Sequence, residues 1–308
     1  MKLTFAFCTY NRASRLERLI AEMRAQDCPI PFEILAVNNN SIDRTLPVLE
    51  SLARLPGAPL RFVTETRQGI VPARNRALEE SLDSDILVFI DDDELPRPGL
   101  LRAACDAILT EGAECAGGKV EVDFTGLERP RWLGDELLGF LAEVNHGDGP
   151  QWVTDDGTPL WTANIAYDMR LFRTEPSLRF DNRYNRVGGD IGGGEDAIMF
   201  RALLKRGTRI RYRPDMQVLH SVEPWRLKRR YFVRLHYKAG MRRGRYQLPS
   251  YPRTVLGVPP FLLIQFAQQG VRAMMMTLAG RTGAVRQTMT AANTLGCMVG
   301  YSQRQTSA

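Results

Sequence analysis

The chain of 308 residues is long enough for one large α/β domain with an appendage, or for two modest domains. Its 44% apolar and 25% charged residues exclude wholesale disorder, and five cysteines without a CxxC pair exclude a disulfide framework or a cysteine zinc site. The net charge of +6 is unevenly placed: fourteen Lys/Arg and no carboxylate follow Glu223, whereas the preceding chain sets 27 Lys/Arg against 35 Asp/Glu, a net −8. An acidic body and a basic tail are suited to different partners.

Met1-Lys2 leads directly into Leu3–Tyr10, a strand-like stretch too short for a secretory leader and without a cleavage site, so a cytoplasmic protein with reduced Cys8, Cys28, Cys105, Cys115 and Cys297 is expected, its first strand over Leu3–Phe7. The polar turn Thr9–Arg12 follows, then Ser14-Arg15-Leu16-Glu17 with capping-box spacing and Leu16, Leu19, Ile20 and Met23 at helical intervals. Phe32–Val37 predicts the next strand, closed by Asn38-Asn39-Asn40. A helix capped by Ser41 is expected over Asp43–Ala53, then a strand at Leu60–Val63 and a helix over Pro72–Leu82. Asp85–Ile90 is the most apolar strand. Farther on, strands are expected at Cys115–Phe124, Pro159–Ala166, Arg209–Tyr212 and Gln217–His220, and a helix over Asp196–Lys205. Alternating strands and helices imply a doubly wound, mostly parallel sheet whose ligands sit beyond the carboxyl ends of the strands.

Three polar clusters fall at such ends: Thr9–Arg12, Asn38–Asp43 and Asp91–Glu94. Four adjacent carboxylates after a buried strand repel one another unless a cation sits among them. Continued strand geometry would turn Asp91 and Asp93 one way and Asp92 the other, and two carboxylates on one side suit a hard divalent ion that also takes phosphate oxygens. The competing reading is a solvated acidic turn ahead of a helix near Pro98. Asp196 follows Gly192-Gly193-Gly194 and opens a helix, where an ionised carboxylate is favoured; it is the candidate base, with Glu195 beside it, and helix capping is the alternative role for both.

In order along the chain, Cys8–Arg12 (CTYNR), Asn39–Thr45 (NNSIDRT), Gly69–Ala77 (GIVPARNRA), Phe89–Glu94 (FIDDDE) and Gly193–Asp196 (GGED) resemble the motifs of family 2 glycosyltransferases with the GT-A fold. The resemblance covers about the first 220 residues and implies a GT-A α/β domain, 1–222, with a nucleotide-sugar-binding half (1–125) and an acceptor-binding half (126–222). It further implies that Thr9, Asn38 and Asn39 line the nucleoside pocket, together with Tyr10, Asn11, Arg12 and Asp43 of the same motifs. Arg67, Asn75 and Arg76 would lie near the base and diphosphate, with Arg74 on a solvated helix face. Asp91 would approach the ribose with Asp92 on the donor side, and Asp93 would bind Mn²⁺ or Mg²⁺, with His220 as a possible further metal ligand or else a histidine satisfied by backbone. Trp161, Asn164 and Gly194 would contact the transferred sugar or acceptor, and two of Trp132, Trp152 and Trp161 are expected in packing roles. The implied reaction is an inverting single displacement from a nucleotide-diphosphate sugar, with UDP or dTDP favoured, to a hydroxyl of a lipid-linked or cell-surface glycan.

The remainder, 223–308, reads as a basic, amphipathic helical region. Nine Lys/Arg in Arg226–Arg245 are interleaved with Tyr231, Phe232, Leu235 and Tyr237, and Val255–Leu278 is apolar but broken by Pro259-Pro260 and several glutamines. This fits an interfacial helix on an anionic membrane, at the inner face, better than a transmembrane span; packing on the catalytic domain or on a second subunit is the alternative. No Gln-x-x-Arg-Trp motif of processive synthases is present, so single addition is favoured. The rivals are a sugar-phosphate nucleotidyltransferase, whose glycine-rich basic loop would have to replace Thr9–Arg12, and a nucleic-acid-binding protein using the tail. Neither accounts for the whole sequence: the second leaves the acidic strand end unexplained, and no nucleic acid is expected as partner.

Overall fold

Strand and helix alternate through the first part of the computed structural model, which describes residues 1–188 and 190–304. β1 (Leu3–Thr9), α1 (Ala13–Arg24), β2 (Phe32–Asn38), α2 (Thr45–Ala53), β3 (Leu60–Thr64), α3 (Ile70–Glu80) and β4 (Ile86–Ile90) succeed one another. β1 pairs in parallel with β2 and β4, and β2 with β3. All five residues of β4 are buried, the continuous apolar run that a strand covered on both faces requires. The capping box at Ser14 is not used: α1 starts at Ala13 without a side-chain cap. Ser41 does not cap α2 either; its hydroxyl accepts from the Asn11 amide (3.0 Å), and Asp43 Oδ1 accepts from the Thr45 amide (2.9 Å).

The chain continues through β5 (Glu94–Pro96), α4 (Leu100–Cys105), β6 (Cys115–Asp123), β7 (Gln151–Val153), β8 (Asn164–Asp168), α5 (Arg170–Thr174), α6 (Glu195–Lys205) and β9 (Ile210–Ser221). Among the described residues these make one nine-stranded sheet in the order β3-β2-β1-β4-β8-β6-β9-β5, with β7 added to β9. The sheet is mixed, not mostly parallel, because β8 runs antiparallel between β4 and β6. That reversal sets Asn164 opposite Ile90, so the residues just before β8 arrive at the carboxyl end of β4. The two short strands expected near 209–220 are a single strand with an irregularity opposite Gly118 and Lys119. A Cβ at Gly118 would collide with the Met216 carbonyl, so glycine lets the bulge close against β6.

This sheet and its helices form one compact unit of residues 1–126, 136–188 and 195–222, enclosing an extensive apolar core. A second unit groups residues 127–135, 190–194 and 223–304, built on α7 (Arg229–Arg242), α8 (Pro260–Leu278) and α9 (Ala284–Ser302). In the second unit, Gly240 and the following Gly244 face Gly296 and Gly300 of α9. A Cβ at Gly240 would strike the Asn293 carbonyl, and one at Gly300 the Met241 carbonyl. Two small-residue rows at four-residue spacing therefore bring the backbones into contact. α8 buries Leu262 and Ala273, and Gln269 Oε1 accepts from the Thr294 hydroxyl of α9 (2.6 Å). No described helix is long and apolar enough to cross a membrane.

Candidate active site

One residue, Asn39, ties the ends of β1 and β2 to the start of α3. The Asn39 amide donates to the Thr9 carbonyl (2.8 Å), its Nδ2 donates to the Arg67 carbonyl (2.8 Å), and its Oδ1 accepts from the Gly69 amide (2.7 Å). Asn39 thus fixes where α3 begins. The start of α3 is also gripped from a later segment: the Ile70 amide donates to the Arg186 carbonyl and the Val71 amide to Asn185 Oδ1, both at 3.1 Å. Gly69, at φ 134°, leaves room for the Asn185 amide that any side chain would displace. The resulting cavity, about 120 Å³, is lined by Thr9, Tyr10, Arg12, Asn39, Asp92 and Arg186 among others. Asn11 and Asn38 brace this edge from behind, Asn11 Oδ1 accepting from the Ile42 amide (2.9 Å) and Asn38 Oδ1 from the Ser41 amide (3.1 Å).

Asp91–Glu94 turns instead of continuing β4. The Glu94 amide donates to the Asp91 carbonyl (3.2 Å), and the Asp91 amide to Glu94 Oε2 (2.8 Å). The alternation expected of a strand is lost, and the carboxylates part three ways. Asp92 faces the cavity, where burial and the neighbouring Asp93 push its carboxyl up to about 7. Asp91 turns to Arg74 (3.0 Å). Asp93 turns to β9, where the pairing of Glu94 with His220 places the imidazole Nδ1 3.5 Å from Asp93 Oδ1 and 3.6 Å from Glu94 Oε1.

All three of these side chains are buried, and Glu94 Oε1 has no hydrogen-bond partner among the described residues. Burial, then Asp91 and Asp93, hold the Glu94 carboxyl well above the usual range. Clustered carboxylates and an imidazole with an unsatisfied oxygen behind them fit a divalent cation. Among the described residues no group of three or more His, Cys, Asp or Glu encloses an ion alone, so ligand or water oxygens would complete the shell.

Arg74 corrects the sequence reading most sharply. It is not on a solvated face but 2% exposed, its Nη1 donating to Glu195 Oε1 (2.8 Å) and Asp196 Oδ1 (2.6 Å) and its Nη2 to Asp91 Oδ1 (3.0 Å). One planar fork therefore joins the acidic turn to the first turn of α6. The Thr162 hydroxyl also donates to Asp196 Oδ1, brought there by the reversed strand β8. Glu195 is sealed in, with Oε2 unpartnered among the described residues and its carboxyl raised by burial and by Asp196, whereas the Asp196 side chain stays 24% exposed.

Other expected donor residues are taken elsewhere. Asn75 exchanges two hydrogen bonds with the Phe180 backbone, both 2.9 Å. Arg76 pairs with Glu80 beside Lys2 and Arg61, at the amino end of the strands and the wrong edge of the sheet. Arg67 is 71% exposed and reaches back to Glu65. Asn164 is buried and donates to the Lys119 and Met216 carbonyls (3.0 and 2.7 Å), tying three strands together. Trp161 is half-buried against the main core, and Gly194 precedes α6 at φ 104°. Trp152 lies away on β7, beneath Arg209 and Arg211. Sequence reasoning missed Arg74, Thr162 and Arg186. Arg74 sits inside the Gly69–Ala77 motif and Thr162 between the candidates Trp161 and Asn164, but Arg186 carries no signal beyond its loop.

Against known proteins, residues 4–175 match the family model Glycosyl transferase family 2. The chain is 34% identical over 102 residues to the uncharacterized glycosyltransferase YfnE of Bacillus subtilis, and 28% identical over 116 residues to the glycosyltransferase AglE of Haloferax volcanii. These alignments cover 33% and 37% of this chain, but only 25% and 38% of those proteins. Among solved structures, the Pyrobaculum calidifontis mannosyltransferase PcManGT, in complex with GDP-Man and Mn²⁺, is similar with TM-score 0.61 and 20% identity, covering 96% of this chain and 86% of that one. S. aureus TarS 1-349, in complex with UDP-GlcNAc, gives TM-score 0.56 and 18% identity over 81% and 68%. The architecture is the GT-A fold, and with more than half of its residues inside the family match, the chain belongs to glycosyltransferase family 2.

Proposed function

We propose that the chain is an inverting, non-processive glycosyltransferase that moves a sugar from a nucleotide-diphosphate donor, UDP or dTDP first, to a hydroxyl of a lipid-linked or cell-surface glycan. The observation that carries this reading is the Arg74 clasp, which holds Asp196 and the donor-side Asp91 on one guanidinium. The donor's nucleoside would enter the cavity between Thr9, Asn39 and Arg186, whose lining also includes Arg12, so that two guanidinium groups would face its phosphates. Asp93 and His220 would hold a divalent cation, which when bound neutralises charge on the diphosphate.

Asp196 is the base and Glu195 its support. The Arg74 and Thr162 hydrogen bonds to the Asp196 carboxylate both go to Oδ1, which leaves Oδ2 for the acceptor. Oδ2 takes the acceptor's hydroxyl proton as that oxygen bonds to the anomeric carbon. The carbon–phosphate oxygen bond breaks on the opposite face, and its electron pair leaves with the nucleoside diphosphate. Glu195, buried and without an exposed oxygen, cannot reach an acceptor in this way.

Thermal shift with UDP, dTDP, GDP and CDP, each with Mn²⁺ or EDTA, tests the reading on wild type and Asp93→Ala. One nucleotide should stabilise the wild type only with the cation, by about 2.7 kcal/mol at a hundredfold excess over Kd. Loss of that effect in Asp93→Ala is the expected result. No stabilisation by any nucleotide in a folded sample would overturn the proposal.

A further inference from the structure

We infer that α8 is a docking face for an anionic lipid bilayer. Phe261, Ile264, Val271, Met274, Met275 and Leu278 recur at intervals of three, four and seven and are all exposed, from 38% at Phe261 to 81% at Leu278. At 3.6 residues per turn they form one stripe, opposite the Leu262 and Ala273 face that is buried in the fold of the second unit. The helix is therefore apolar on the side that is not needed for folding. Just before it, the turn Val255–Val258 holds Leu256 at φ 50° and 96% exposure, an apolar side chain presented at a position that suits asparagine or glycine. A concavity of about 690 Å³ runs beside the stripe, lined by Val271, Met275, Met276 and Ala279 and flanked by Arg272 and Arg281.

Charge selects the occupant. No carboxylate occurs after Glu223, where fourteen Lys/Arg are found. A second copy seated face to face would oppose cation to cation, and the exposed large apolar residues of the first unit, Met1, Ile42, Leu55, Leu109, Trp152 and Val187, are scattered and offer no matching stripe. An anionic bilayer satisfies both features, taking the stripe into its acyl boundary and the arginines at its head groups. α8 would lie flat over roughly 28 Å at 1.5 Å per residue, consistent with no described helix being able to span. The inference does not depend on the donor chemistry.

Co-sedimentation of the full chain, without nucleotide, on phosphatidylcholine vesicles with and without phosphatidylglycerol tests it. Binding is expected on the anionic vesicles and should weaken about tenfold in Ile264→Gln/Met275→Gln, whose exposed positions leave the fold intact, and by a similar factor in Arg272→Gln/Arg281→Gln. Far-UV circular dichroism checks that both variants fold. Equal binding to neutral and anionic vesicles, no binding to either, or a vesicle-free dimer that Ile264→Gln/Met275→Gln dissolves would overturn the inference. None of these outcomes bears on the nucleotide shifts that test the transferase reading.

Discussion

A guanidinium buried among Asp91, Glu195 and Asp196 sets one positive charge against three carboxyl groups, and all three lose an ion-pair partner when the fork is removed. Arg74→Ala should therefore cost about 3–5 kcal/mol, the range for removing one partner of a buried ion pair, as read from urea unfolding. Arg74→Lys keeps the charge but not the planar fork that reaches the acidic turn and α6 together. It should retain more stability than Arg74→Ala yet lose turnover, and equal turnover to wild type would remove Arg74 from the site. Glu195 gives a pH signature. Its folded carboxyl is raised above 4.5 by burial and Asp196, so above that pH the unfolded chain loses its proton first. Stability then falls as pH rises through the window from 4.5 up to the folded value. Glu195→Gln should flatten that fall in unfolding titrations from pH 4 upward; an unchanged slope would assign the pH dependence elsewhere. From sequence, Arg74 and Arg76 look alike, two arginines on one helix. Helical rotation separates them, and the one that turns inward is held by Asp91 and by Glu195 and Asp196, the last two more than a hundred residues away.

At the scale of elements, the local signals read well where strands were buried and helices amphipathic, as in β1, β4 and α1. They failed where pairing partners are remote. Nothing in Asn164–Asp168, buried throughout, distinguishes an antiparallel from a parallel neighbour, yet its direction brings Thr162 to Asp196. Pro214 and Asp215 made β9 look like two strands because the bulge interrupts the apolar pattern without ending the strand. The motif order, by contrast, puts Thr9, Asn39 and Asp92 at the carboxyl ends of β1, β2 and β4, and the structure lines one cavity with all three, since strand ends follow from connectivity alone. In the second unit the spacing of Gly240, Gly244, Gly296 and Gly300 acquires meaning only once α7 and α9 are seen to share backbone contact. Gly296→Val would force a side chain into the Tyr237 carbonyl. It should cost about 1–3 kcal/mol, and hydrogen exchange should lose protection in both α7 and α9. Protection lost in α9 alone would mean that the glycine row is not what holds the pair.

For the whole molecule, each unit encloses apolar contacts of its own: the first around its sheet, the second around Val258, Leu262 and Cys297. Charge is also uneven along the sequence: the second unit has its carboxylates at Glu128, Asp135, Asp190 and Glu223, and none follows Glu223. A chain of this kind need not unfold in one step, because the two-state approximation holds for single cores and fails when cores are separate. Ligand linkage then acts on the unit that binds the ligand. The carboxylate turn, Arg74, Asp196 and His220 all lie in the first unit, and the glycine row lies in the second. Calorimetry should therefore resolve two transitions: a stabilising nucleotide with Mn²⁺ should raise one, and Gly296→Val should lower the other while leaving the nucleotide shift intact. If both perturbations moved a single transition together, the units would be one cooperative body, and the tail would have to be treated as part of the catalytic fold and not as a separate docking module.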